Sequence, residues 1–230
     1  MPLRGLDFVY AGLSHLPENL GNLIHLKYLN LRYTQVETLP KSIGKLQNLE
    51  TLDIRHTNVF EIPKEISKLR KLRHLLANRI SSTAVKDGLG GMTSLQKIRL
   101  LEIDHDGLVI RELGKLKQLR DLRIINLRGE HSNTLCSSIN EMQFLKTLVI
   151  MTEDGYGVNH LIDLHTVSSL STLRKLVLQG NLNELPNWIP RLQDLVKLFL
   201  KSSKLTNNPL NSLKDMPNLL FLSWTRMLMK

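Results

Sequence analysis

The sequence has a single cysteine, Cys136, in 230 residues. No disulfide can form within the chain, and the stapled end caps of many secreted repeat proteins are excluded. Aromatic residues make up 5% of a chain that is 42% apolar, so the core has to be built from leucine and isoleucine. No apolar run approaches the roughly 20 residues that a membrane-spanning helix needs. The opening segment MPLRGLDFVYAG lacks the apolar stretch and small-residue cleavage site of a secretory signal. The chain also has no Asn-x-Ser/Thr glycosylation acceptor. These absences point to a reducing, cytoplasmic location, with the nucleus and the inner face of the plasma membrane left open.

Signatures of chemistry are equally scarce. There is no G-x-x-x-x-G-K-[ST] phosphate loop, so no cofactor is expected in this chain. GLGG (88–91) lacks the strand–turn–helix setting of a dinucleotide fingerprint and reads as a loose loop. Glu102, Asp104, His105 and Asp106 are suitable cation ligands, but they follow a strand and end at Gly107, as a solvated turn does. His160 and His165 have neither the spacing nor the glutamate of a zinc protease. Cys136 has no activating neighbour in sequence. No catalytic residue or metal ligand is expected, and the chain does not read as an enzyme.

What the sequence has in abundance is leucine on a clock. Leu-x-x-Leu-x-Leu, with Ile, Phe, Ala or Trp substituting, recurs from Leu3, Leu26, Leu49, Leu72, Leu95, Leu119, Leu145, Leu173, Leu195 and Leu219. The anchors are 23, 23, 23, 23, 24, 26, 28, 22 and 24 residues apart. A period of about 20–29 with this pattern is that of leucine-rich repeats. The expected fold is an α/β repeat solenoid, a horseshoe with a concave parallel sheet and short helical, 3-10 or irregular convex segments. Residues 1–230 form a single domain of about ten repeats in which each repeat packs on its neighbours. Polar end caps are missing, so the chain reads as a piece of something longer.

In the repeat 26–49, Leu26, Leu29 and Leu31 alternate as a short strand with one buried face. Tyr28, Asn30, Arg32 and Tyr33 are then expected to project to solvent on the concave side. Pro40 suits a turn or the first helical position, and Ile43 and Leu46 share one face of a short return segment. Thr34 and Thr57 stand where many such repeats carry asparagine, and are expected to bond backbone of the adjacent turn, as Asn181 and Ser203 can. Ile80, Ile103 and Leu127 interrupt that polar ladder.

Three departures from regularity stand out. The segment 78–93 is poor in apolar residues and is expected to leave a loose convex side. The stretches 128–134 and 152–160 are extra length expected in loops, which in solenoids often border the binding face. Trp188, between Pro186 and Pro190, is expected to cover the convex edge.

Counting outward from each strand gives the candidate concave face: Tyr28, Asn30, Arg32, Tyr33, Thr51, Asp53, Arg55, His56, His74, Arg79, Lys97, Arg99, Arg123, Lys197 and Phe199. Asn78, Glu102, Asp121, Asn126, Lys175, Gln179, Lys201, Phe221 and Arg226 extend the series. Basic residues in it outnumber acidic ones by about ten to four, counting Asp7 among the acids. Binding hot spots favour Tyr, Trp and Arg, so Tyr28, Arg32, Tyr33 and Arg55 are the sharpest candidates. The net charge of +10, from 31 Lys and Arg against 21 Asp and Glu, favours acidic partners.

The run LIHLKYLNLRYTQVETLPKSIGKLQNLETLDIRHTNVFEIPKEISKLRKLRHL (23–75) resembles the repeat region of plant intracellular nucleotide-binding, leucine-rich-repeat disease-resistance proteins of the coiled-coil type. IRELGKLKQLRDLRI (110–124) and the stretch 173–219 match the same pattern. The resemblance implies a protein-interaction module of an innate immune receptor. Its partners would be a pathogen effector, a guarded host protein, or the nucleotide-binding domain of the same receptor, which the repeats hold in its resting form. ADP or ATP is implied only for that upstream domain. The alternatives are a free-standing intracellular repeat scaffold or truncated decoy, and a nucleic-acid or anionic-lipid binder. Nucleic acid is the less favoured, because aromatics are sparse and no nucleic-acid motif is present.

Overall fold

Alternation of leucine with polar residues produces strands with one buried face, and here it does so ten times. The computed structural model describes residues 2–81, 85, 88–152, 161–168 and 170–225. Its strands are β1 (Gly5–Asp7), β2 (Tyr28–Asn30), β3 (Thr51–Asp53), β4 (His74–Ser81), β5 (Lys97–Glu102), β6 (Asp121–Ile125), β7 (Thr147–Met151), β8 (Lys175–Gln179), β9 (Lys197–Lys201) and β10 (Phe221–Thr225). They form one open parallel sheet in chain order, so each strand pairs with those of the repeats before and after it.

The register follows the leucines. Leu29 lies opposite Leu52, and Leu52 opposite Leu75, while the series Leu148, Leu176, Leu198 and Leu222 does the same further along. The anchors from Leu26 to Leu195 are fully buried, whereas Leu3 is 48% exposed in the outermost repeat. Each buried leucine contributes about 1.5–3 kcal/mol, and a single continuous core results.

The convex side changes character along the chain. The first three return segments are the 3-10 turns Glu18–Asn22, Lys41–Lys45 and Lys64–Lys68. Pro17, Pro40 and Pro63 precede them in extended conformation, so Pro40 sits one residue outside the helical turn. Its carbonyl accepts the Ile43 N–H at 3.0 Å. These turns pack so closely that a Cβ on Gly44 would come within 2.7 Å of the Glu65 carbonyl oxygen. Other repeats use α-helix instead, at Leu108–Leu113, Ser132–Asn140 and Leu210–Leu213.

Several expectations are revised by this geometry. The stretch 128–134 is not an open loop: a 3-10 turn, Gly129–His131, runs directly into helix Ser132–Asn140. That helix packs on the preceding one, with Ser138 Oγ donating to the Ile110 carbonyl at 2.7 Å, and so lies away from the sheet. Residues 153–160 of the other long stretch are outside the described residues. In the segment 78–93, positions 78–81 extend strand β4 and Leu89–Gly91 is a 3-10 turn, while 82–84, 86 and 87 are outside the described residues. Thr34 Oγ1 donates to Leu31 O at 2.7 Å and Thr57 Oγ1 to Ile54 O at 2.8 Å. These hydroxyls therefore close their own turns three residues back rather than bonding the adjacent turn. Asn181 likewise works within its own turn, accepting the Asn183 N–H, and the buried Ser203 Oγ has no partner among the described residues. Ile80, Ile103 and Leu127 are buried. Trp188 is buried rather than merely covering an edge, and its indole N–H donates to Leu164 O at 2.7 Å, tying one repeat to the one before.

Candidate functional site: the concave face

Parallel pairing in register stacks equivalent residues into columns across the concave sheet. One column runs Tyr28, Thr51, His74, Lys97, Asp121, Thr147, Lys175, Lys197, Phe221. The central column runs Asp7, Asn30, Asp53, Leu76, Arg99, and continues through Arg123, Val149, Val177, Phe199 and Ser223. Between its two segments the pairing of β4, β5 and β6 slips, and Leu100, at φ 56°, is the extra residue in β5.

Asn30 and Asp53 do not project to solvent as the strand pattern predicts. Both are buried, at 5% and 4% exposure. Their side chains fold back on the chain: Asn30 Oδ1 accepts the Arg32 N–H, and Asp53 Oδ1 accepts the Arg55 N–H, each at 3.2 Å. Asp7 Oδ1 accepts both the Val9 N–H and the Asn30 amide, each at 3.1 Å. Buried polar groups have to be paired, and these satisfy the backbone where the strand ends.

The chain then enters the left-handed region at Tyr10, Tyr33 and His56, with φ of 59°, 57° and 57°. Hydrogen bonds from Tyr10 N to Arg32 O and from Tyr33 N to Arg55 O link these turns across repeats. Their rings consequently stack, Tyr10 on Tyr33 at 4.6 Å and Tyr33 on His56 at 4.4 Å, within 3° of parallel. Stacking of this kind is worth about 0.5–1.5 kcal/mol per pair, which offsets part of the cost of the left-handed backbone. The Arg32 guanidinium lies 5.1 Å from the Tyr33 ring centroid.

Charge on this face is unevenly settled. Asp53 forms a tight ion pair with Arg55 and holds its guanidinium above the ordinary pKa by hydrogen bonding. Arg79 meets Glu102 at 3.0 Å, and Glu102 also accepts from Asn126 at 2.8 Å. Lys97 meets Asp121 at 3.1 Å and Arg123 meets it at 3.2 Å. Along the neighbouring edge, Glu50 sits between Lys27 and Arg73, and the Lys27 hydrogen bond lowers its pKa. By contrast, Arg32 Nε is shielded from solvent with no hydrogen-bond partner. Among the described residues, Arg32, Arg99, Lys197 and Lys201 make no ion pair. His74 contacts Thr51 Oγ1 at 3.0 Å, and burial, then Lys97 and Arg73, lower its pKa.

The sequence-derived face is thus divided. Tyr28, Thr51, His74, Lys97 and Lys197 share one column; Arg99, Arg123 and Phe199 lie in the central one; Tyr33 and His56 belong to the ring stack. Arg79 is on the exposed end of β4, and Arg226 lies outside the described residues. Val149 and Val177 were not among the expected residues, yet they occupy the central column beside Phe199. Their signal is an apolar residue at a strand position where the alternation calls for a polar one. Cys136 is buried on the convex side, and burial raises its pKa. Among the described residues, no group of three His, Cys, Asp or Glu is placed to hold a metal ion, and no helix is long and apolar enough to cross a membrane.

The fold and its open columned sheet define a leucine-rich-repeat protein, and the chain belongs to the leucine-rich repeat region family, whose pattern matches residues 3–229. Members of this family typically serve as interaction modules rather than enzymes. The sequence is related to plant disease resistance proteins. It is 33% identical to Disease resistance protein RPM1 of Arabidopsis thaliana over 147 residues, 64% of this chain and 15% of that protein. It is 30% identical to Disease resistance protein PIK6-NP of Oryza sativa subsp. japonica over 142 residues, 59% of this chain and 13% of that protein. The chain therefore spans only a small part of the length of these relatives. The fold is similar to that of the plant peptide hormone receptor RGFR1 in complex with RGF2, with a TM-score of 0.72 and 20% identity over 96% of this chain and 36% of that one.

Proposed function

We propose that this chain is the protein-interaction module of a plant innate immune receptor, recognising a pathogen effector or guarded host protein and restraining a nucleotide switch carried elsewhere in such receptors. The observation that carries the reading is the concave face. It is open and basic, it carries a stack of three rings, and the guanidiniums of Arg32 and Arg99 have no carboxylate partner among the described residues. Tyr and Arg are the residues that dominate protein-binding energetics. Similarity to two disease resistance proteins supplies the physiological setting. A cytoplasmic location and the absence of a bound cofactor in this part of the receptor belong to the same proposal.

The test is pairwise co-precipitation of the chain with individual secreted pathogen proteins and with the nucleotide-binding region of a matching receptor. Arg32→Glu together with Arg99→Glu is expected to abolish capture of the cognate partner while leaving the fold intact by circular dichroism. Undiminished capture by the doubly reversed chain would sink the concave-face reading.

A further inference from the structure

The two halves of the concave sheet differ in how their charge is balanced. Over β3 to β6 every carboxylate on the face is matched: Asp53 with Arg55, Glu102 with Arg79, and Asp121 with both Lys97 and Arg123. Over β7 to β10 the outward positions are Thr147, Val149, Met151, Lys175, Val177, Gln179, Lys197, Phe199, Lys201, Phe221, Ser223 and Thr225. None of these is acidic, and Lys175, Lys197 and Lys201 have no ion-pair partner among the described residues. The Lys175 ammonium lies 5.4 Å from the Phe199 ring centroid, and Phe199 meets Phe221 at 5.1 Å.

The registers fix how these residues lie. Val149, Val177 and Phe199 form three successive positions of the central column. Lys175 and Lys197 flank that stripe on one side, and Lys201, opposite Gln179, flanks it on the other. Val149 and Val177 are nearly covered by their neighbours, whereas Phe199 is half-buried and Phe221 is 48% exposed. An apolar floor with Lys175 and Lys197 on one side and Lys201 on the other asks for a chain that is apolar below and carries carboxylates within reach of those ammonium groups. An extended segment meets that demand, because its side chains alternate between two faces. Lysine stems lie along apolar surface while their ammonium heads reach up and outward.

We infer that the β7–β10 half of the concave sheet is a docking site for an extended acidic segment of a partner protein, with aliphatic or aromatic side chains seated on Val149, Val177 and Phe199 and carboxylates engaged by Lys175, Lys197 and Lys201. The inference deepens the reading of this face as a partner-binding surface by naming the partner's chemistry. Beyond Val149 the central column continues with Arg123, which Asp121 neutralises, and then Arg99, so the apolar floor ends towards β6 and β5. Nucleic acid fits less well, since Val149 and Val177 make the floor aliphatic over β7 and β8 and only Phe199 and Phe221, at one end, offer rings for bases to stack on.

The test is fluorescence anisotropy with the full 230-residue chain and labelled synthetic peptides. The probe alternates aspartate and leucine, and its controls replace aspartate with lysine or leucine with serine. The aspartate–leucine probe is expected to bind about tenfold or more tightly than either control, with affinity falling as salt is raised. Lys197→Glu with Lys201→Glu is expected to weaken it about tenfold. Both lysines are exposed, and the milder Lys197→Gln with Lys201→Gln checks the same point if reversal disturbs the fold. Phe199→Ser is expected to weaken the leucine-bearing probe and leave the serine-bearing control unchanged. Equal binding of the lysine–leucine peptide, indifference to the lysine changes, or tighter binding of oligothymidylate overturns the proposal. Such a result leaves the immune-receptor reading standing, because that reading is tested with Arg32, Arg99 and intact partner proteins.

Discussion

At the scale of single residues, the most constrained side chain on the concave face is Asp53. It is buried, it accepts from the Arg55 backbone, and it neutralises the Arg55 guanidinium. Asp53→Ala removes both services and is expected to cost about 1–3 kcal/mol in urea unfolding. Asp53→Asn is expected to cost less, because Asn30 performs the backbone service as an amide at the equivalent position. His74 yields a pH prediction with a definite sign. Burial and the cations Lys97 and Arg73 hold its pKa below the ordinary 6.5. Between the folded and unfolded values the unfolded chain holds more protons, so stability rises with pH across that window. The contribution is complete above the unfolded value and is lost as the pH falls. Chemical denaturation at about pH 7.5 and about pH 5.5 is expected to show a smaller acid loss for His74→Gln than for the parent.

At the scale of elements, the return segments decide how closely repeats approach. Gly44→Ala forces a Cβ against the Glu65 carbonyl oxygen at 2.7 Å and is expected to cost about 1–3 kcal/mol. Gly12→Ala meets nothing within 4 Å, so thermal melts are expected to separate the two variants clearly. Trp188→Phe keeps most of the buried area but leaves Leu164 O with only the longer bond from the Val167 N–H at 3.4 Å, and a loss of about 1 kcal/mol is expected. The strands were legible in the sequence because leucine alternation and burial arise from one cause. The helix Ser132–Asn140 was not, since Ser132, Asn133 and Thr134 are typical loop residues and the apolar positions Leu135, Cys136 and Ile139 that bury its face come later. The positions of Asn30 and Asp53 were hidden for a different reason. Strand alternation assigns them to solvent, and only the turn that follows gives their side chains backbone groups to satisfy.

At the scale of the whole molecule, the period of the leucines determines the sheet, the register and the open shape, and so fixes where a partner can lie. The chemistry along that face was only partly readable. Basic residues were visible by counting, but which of them are neutralised depends partly on neighbours 23 or 24 residues away, as for Arg79 with Glu102 and Lys97 with Asp121, and on the slip between β4, β5 and β6. The ring stack is written in the sequence only as Tyr10, Tyr33 and His56 at one repeat spacing. Nothing local in the sequence announces their left-handed backbone. That stack gives the solenoid a built-in curvature gauge. Rings held 4.4–4.6 Å apart couple their electronic transitions, and neighbouring strands cannot splay or twist without separating them. Any partner that opens the coil at its first repeats would therefore announce itself as a change in near-ultraviolet circular dichroism that a chain with Tyr33→Leu, lacking the middle ring of the stack, would not show.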